Sequence, residues 1–156
     1  MADKSKLGMD FPVYTMVVEK TKIAEFAAAV ALKDSTREID PIYYDEEAAK
    51  KAGYKGIPVP PTFMTSFFFW NNGLMVVVKA LGVDLGNLLH SEEEYEYFGY
   101  IYVGDVVTCK MKVVEMYERG KRDRIGRFVD VAVLETEIIN QRGELVAKVR
   151  STMIER

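Results

Sequence analysis

The hydrophobic pattern of the chain changes period once. Apolar residues recur mostly at helical spacing through the first half and alternate one-in-two from His90 onward. Near the start, Val13, Thr15 and Val17 alternate with Tyr14, Met16 and Val18, which predicts a short first strand. Thr21 is placed to cap a helix whose apolar stripe is Ile23, Phe26, Ala27, Val30 and Ala31. Asp45 precedes EEAAKKA as a second cap, and Gly53 suits the left-handed residue that ends that helix. Pro60 and Pro61 then open the most apolar stretch of the chain. Proline fits a first helical turn, where its missing N–H is no loss. Phe63, Phe67, Trp70, Leu74 and Val78 follow at helical spacing, and Phe68, Phe69, Met75, Val76 and Val77 fill the other sides. A helix apolar nearly all round is expected to be buried. Gly73, after Asn71 and Asn72, predicts a break or kink, and Gly82 the end.

In the second half, Tyr95 and Tyr97 face one way and Glu94 and Glu96 the other. Val107, Cys109, Met111 and Val113 alternate with Thr108, Lys110 and Lys112. Residues 128–139 form a strand apolar on both faces, and Leu145, Ala147, Val149, Ser151 and Met153 another. Val103-Gly104-Asp105 and Gln141-Arg142-Gly143 read as turns. The fold class is therefore α+β: about five antiparallel strands curled around a long central helix running from about Pro61 to Leu81. Residues 1–10 are expected to be a loose tail and 11–156 a single domain.

Composition narrows the function. Asp and Glu number 24 against 21 Lys and Arg, so no basic face for nucleic acid is implied. One cysteine, Cys109, allows no intrachain disulfide and reads as a buried structural thiol. The N-terminus is polar, and Ser66, Asn71, Asn72 and Lys79 interrupt the apolar run, so a cytoplasmic chain with no membrane span is expected. His90 is the only histidine; it reads as a polar residue at a strand entry or as a general base, and no metal site is implied. The segment GVDLG follows no strand and is no phosphate loop, and no cofactor is implied. Glu92, Glu93 and Glu94 read as a solvated strand edge. The basic loop from Arg119 to Arg127 is a hairpin tip, or attracts a phosphate-bearing ligand such as coenzyme A.

The run DPIYYDEEAAKKAGYKGIPVPPTF, preceded by Glu38-Ile39 and joined later by YVGDVV, resembles the MaoC-like hydratase and dehydratase family. More closely it is similar to the amino-terminal dehydratase domain related to type I fatty acid synthase. The resemblance covers nearly the whole chain. It implies the hotdog fold, a long helix wrapped by an antiparallel sheet, and chemistry on an acyl-CoA or acyl-carrier-protein thioester. Catalytic members carry D-x-N-P-[LIV]-H, in which aspartate and histidine exchange protons with the substrate. A backbone N–H at the central helix entry stabilises the developing oxyanion.

This chain departs from that pattern at several positions. The aspartate position holds Glu38, the asparagine position Asp40 and the histidine position Tyr43. The helix entry holds Pro60-Pro61, and Pro61 has no N–H to donate. A tyrosine of ordinary pKa near 10 is a poor base at neutral pH. The resemblance thus implies a non-catalytic, acyl-housing subunit of a heterodimeric (3R)-hydroxyacyl-thioester dehydratase. Its partner would be a catalytic hotdog chain, with Tyr54, Pro61, Thr62, Phe63 and Phe67 against the substrate. Two alternatives stay open: a homodimeric hydratase with a divergent site at Glu38, Tyr43 and His90, and a non-enzymatic acyl-CoA-binding module.

Overall fold

The computed structural model describes residues 3–31, 38–120 and 129–155. Its frame is one five-stranded antiparallel sheet. The strands are β1 (Tyr14–Val17), β2 (Leu88–Tyr97), β3 (Val106–Arg119), β4 (Val129–Ile139) and β5 (Leu145–Glu155), in the order β1-β3-β4-β5-β2. This is the α+β arrangement that the change of period predicts. Both predicted turns carry a glycine in the left-handed region, Gly104 at φ 86° and Gly143 at φ 79°. On β3, Val107, Cys109, Met111 and Val113 all face the core, as their alternation requires.

The central helix is broken just ahead of Gly73, as Asn71-Asn72-Gly73 predicts, and it differs from expectation in starting at Thr65 and not near Pro61. α3 spans Thr65–Trp70 and α4 spans Gly73–Leu81. Pro60 to Met64 form tight turns, with the Phe63 N–H donating to the Pro60 carbonyl at 3.0 Å and the Thr65 N–H to that of Thr62 at 3.3 Å. The break falls at Asn72, at φ 55°. A Cβ at Gly73 would lie 2.5 Å from the Phe68 ring and 2.7 Å from its carbonyl oxygen. Glycine is there because the two helices meet backbone to backbone. Phe63 from the preceding turns and Phe67 from α3 pack into one cluster with Val107, Cys109, Ala147 and Val149. α4 lays Val77 and Leu81 on Met111, Val113, Leu134 and Met153. The sheet covers only one side of this pair, so Phe69 (57%), Met75 (45%) and Trp70 (39%) stay exposed. The expectation of burial all round does not hold for the single chain.

The outer helices differ less. α1 (Lys20–Ala31) starts ahead of Thr21, which sits inside the first turn and caps nothing; Ile23 and Ala27 are buried, while Val30 is exposed. α2 (Glu46–Lys51) is capped as predicted, with Asp45 Oδ1 accepting from the N–H groups of Glu47 at 2.9 Å and Ala48 at 3.3 Å. The tail expected to be loose is docked in its described part, residues 3–10. The N–H of Gly8 donates to the Val113 carbonyl at 2.9 Å, and that of Val113 to Met9 at 3.0 Å. Just beyond, the Phe11 N–H donates to Met111 at 2.9 Å, and Phe11 and Met9 pack into the second core cluster. β3 runs on past the end of β1, and this segment satisfies the edge groups that β1 leaves open.

Cys109 is a free, buried cysteine. Burial pushes its thiol up to about 12, so it stays protonated and inert. No helix among the described residues is long and apolar enough to cross a membrane. Most of the basic hairpin segment, residues 121–128, lies outside the described residues.

Candidate functional site

The loop ahead of α2 is shaped by its own polar groups. Asp40 opens a short 3-10 turn, Pro41–Tyr43, and its Oδ1 accepts from the Ile42 N–H at 3.1 Å. Proline at the start of the turn fixes its φ. One oxygen of the Asp40 carboxylate is therefore engaged in capping. Glu38 is exposed, and no hydrogen bond joins it to Tyr43 among the described residues. Tyr43 is half-buried against the first core cluster. Burial, then the nearby Asp40 charge and Tyr54, push its phenol above the ordinary tyrosine value. It is a weaker acid here than in water, and the phenolate that could act as a base is scarcer still at neutral pH. The three positions that correspond to the acid–base loop thus hold no linked proton-transfer pair.

At the entry to the central helices is an open cleft of about 420 Å³. Pro60, Pro61 and Met64 line it from the helix entry, and Tyr97, Phe98 and Tyr100 from the end of β2 and the following segment. The Tyr97 hydroxyl donates to the Pro61 carbonyl at 2.7 Å and ties the two walls together. Tyr54 stacks edge-on against Tyr100, ring centroids 5.3 Å apart, and so connects the loop region to the cleft. Pro61 lies in the cleft wall and Thr62 beside it on the surface. Of the two N–H groups next to Pro61, that of Phe63 is committed to the Pro60 carbonyl, while that of Thr62 makes no bond within the described residues. Phe63 and Phe67 do not reach the cleft. They are 0% and 1% exposed and stack on each other at 5.6 Å in the core. Helical period marked them as apolar, and only the packing shows that their side points to the sheet.

A second cavity, of about 240 Å³, lies further along the same α3–β2 groove. His90 lines it and pairs with Glu93 at 2.7 Å. No partner for His90 is legible in the sequence, because the residue that meets it is brought there by a slip in strand register.

A five-stranded antiparallel sheet carrying a helical segment beside an apolar cleft is the hotdog arrangement of the MaoC-like dehydratases. Residues 5–149 match the family described as "FAS1-like, dehydratase domain region", and the chain belongs to that family. A UPF0336 protein of Saccharopolyspora erythraea is 31% identical over 155 residues, covering 99% of this chain and 91% of the relative. Among solved structures, the HadBC (3R-hydroxyacyl-ACP dehydratase) complex from Mycobacterium tuberculosis superposes with a TM-score of 0.73 at 24% identity, covering 96% of each chain. The (R)-hydratase from A. caviae involved in PHA biosynthesis gives 0.67 at 20% identity, covering 97% of this chain and 98% of the other. At these identities the two structures speak to fold.

Proposed function

We propose that this chain is the acyl-housing hotdog of a (3R)-hydroxyacyl-thioester dehydratase, read in reverse as an enoyl-thioester hydratase, and that a second hotdog supplies the proton-transfer pair. The observation that carries the reading is a contrast. An apolar cleft is present at Pro61, while Glu38, Asp40 and Tyr43, on the loop that Tyr54 connects to it, form no acid–base pair. Proton transfer needs a positioned acid and base. A developing oxyanion needs a donor already aimed at it, and Thr62 is the one N–H left open next to Pro61. The HadBC neighbour is by its name a complex, which fits a paired arrangement. The exposed aromatic rims at Phe69 and Trp70 and at Phe98 and Tyr100 fit a covering partner. The acyl thioester, on coenzyme A or on a carrier protein, would lie with its chain in the cleft.

The test is an assay on crotonyl-CoA and on a longer enoyl-CoA, with the purified chain alone and with a hotdog partner that keeps an intact aspartate–histidine pair. The chain alone should turn over weakly or not at all. The partner's activity on the longer substrate should depend on this chain and drop when Val59, on the cleft wall, is changed to Glu in a variant that remains folded. Brisk turnover by the chain alone, lost on Glu38→Gln, would overturn this reading in favour of a divergent homodimeric enzyme.

A further inference from the structure

The face of β2 that meets α3 carries a polar cluster that the cleft at Pro61 does not use. Residues three apart on a regular strand point to opposite faces. His90 and Glu93 are three apart and yet meet, because Ser91 is bulged: His90 pairs with Met153, while Glu92 pairs with the adjacent Thr152. A bulge disrupts the ladder locally and re-aims the side chains around it. Here it assembles a hydrogen-bonded corner. His90 Nε2 lies 2.7 Å from Glu93 Oε2, Thr65 Oγ1 donates to Glu93 Oε1 at 3.2 Å, and Thr65 also bonds the Tyr95 hydroxyl. The Glu93 side chain is 15% exposed and that of His90 55%. This corner is the polar wall of the 240 Å³ cavity, whose other walls include Phe68, Leu74, Leu88 and Met153. Ser151 stands opposite Glu93 on β5 and lines the same space.

We propose that this cavity is a second ligand subsite, which takes an aliphatic chain bearing a hydroxyl group, the hydroxyl being recognised by His90 and Glu93. The inference goes beyond the thioester reading and does not depend on it, since the cavity shares no lining residue with the cleft. At about 30 Å³ for each water-sized group the space holds roughly eight non-hydrogen atoms, the size of a short fatty alcohol. A hydroxyl both donates and accepts. The Glu93 carboxylate keeps lone pairs to accept a further hydrogen bond, and the His90 ring nitrogen that is not turned to Glu93 offers a second partner. A carboxylate fits poorly, because the Glu93 carboxylate would face it. Two side chains do not make a metal site, and no group of three metal-ligating residues occurs among the described residues.

His90 is the only histidine, so its imidazole proton signals in a nuclear magnetic resonance spectrum report on this corner alone. The full chain is titrated with 1-hexanol and with hexanoate. Hexanol should move the His90 signals to saturation, and hexanoate should bind at least about tenfold more weakly, a difference of about 1.4 kcal/mol. Glu93→Gln should shrink that preference. Leu74→Trp, or Ser151→Leu from the sheet side, should abolish the hexanol response while the circular dichroism spectrum is kept. The proposal is overturned if hexanol leaves the wild-type His90 signals in place or if hexanoate binds as tightly. It is equally overturned if the preference survives Glu93→Gln, or if the response persists in a folded variant whose cavity is filled. Crotonyl-CoA turnover enters none of these readings, so failure here leaves the dehydratase reading standing.

Discussion

Asp40 and Cys109 show how local bonds and burial decide what a side chain is free to do. Asp40 has the charge that general base work requires, but its oxygen is held on the Ile42 N–H. Cys109 is a potential nucleophile by type, but its thiol is pushed up from 9.0 to about 12 by burial. Between those values the unfolded thiol has lost its proton and the folded one keeps it. The folded state then binds more protons, so stability is whole below pH 9 and falls as pH rises, by up to about 1.4 kcal/mol per pH unit for this one group. Burial raises the Tyr14 phenol as well, and that contribution stays in any comparison of Cys109 variants. Urea unfolding of Cys109→Ala across pH 9 to 11 should therefore show a shallower decline than the wild type. Parallel curves would mean that the thiol titrates alike in both states. At this scale the sequence was informative about residue type and not about engagement. Cys109 reads as a core thiol from strand alternation alone. That Asp40 is occupied, or that the Thr62 N–H is open while that of Phe63 is not, depends on hydrogen bonds that no periodicity reports.

The elements follow the hydrophobic period closely, and their departures have physical causes. The sequence Asn71-Asn72-Gly73 marks the break between α3 and α4. Its reason, the Phe68 carbonyl pressed against Gly73, belongs to packing. Gly73→Ala should therefore cost more than the loss of a permissive residue. A Cβ at 2.5 to 2.7 Å from Phe68 forces the two helices apart, and overpacking of this kind costs about 1–3 kcal/mol. A lower denaturation midpoint at unchanged denaturant dependence is the expected result. An unaffected midpoint would show that the helix pair yields freely. The contacts of the N-terminal segment are not legible in the sequence, because its polar residues carry no period. What orders it is the open edge of β3, a feature of the neighbouring strand. The bulge at Ser91 was equally hidden, since alternation read from sequence alone assumes a constant register. One inserted residue moved His90 onto the face of Glu93 and built the second cavity's polar wall. Phe63 and Phe67 illustrate the opposite limit: an all-apolar helix does not say which side meets the sheet and which the groove.

On the scale of the whole molecule, the open question is what covers the side of α3 and α4 that the sheet leaves bare. Phe69, Trp70 and Met75 there, with Phe98 and Tyr100 beyond β2, favour association through burial of apolar area. The long edge strand β2 between them works against association of two identical chains. Glu92, Glu94 and Glu96 point away from α3 along that free edge. The cations opposite Glu94 and Glu96 on β5 are already engaged: Arg150 bridges to Glu115 and Glu135, and Lys148 to Glu135 and Glu137. Two copies meeting at this edge would bring like charges together, which destabilises cross-strand pairs. A partner whose edge carries lysine or arginine would meet the opposite sign. The chain itself can be tested for this charge preference. A variant with Glu94→Lys and Glu96→Lys, mixed with wild type, should form mixed pairs in preference to either self-pair in sedimentation with one species labelled. The preference should fade with added salt, because the screening length falls from about 10 Å at 0.1 M to about 3 Å at 1 M. Wild-type chains that self-associate at low salt as strongly as the mixture would place the partner-facing surface away from β2, and would leave the apolar rims to be covered by a different geometry.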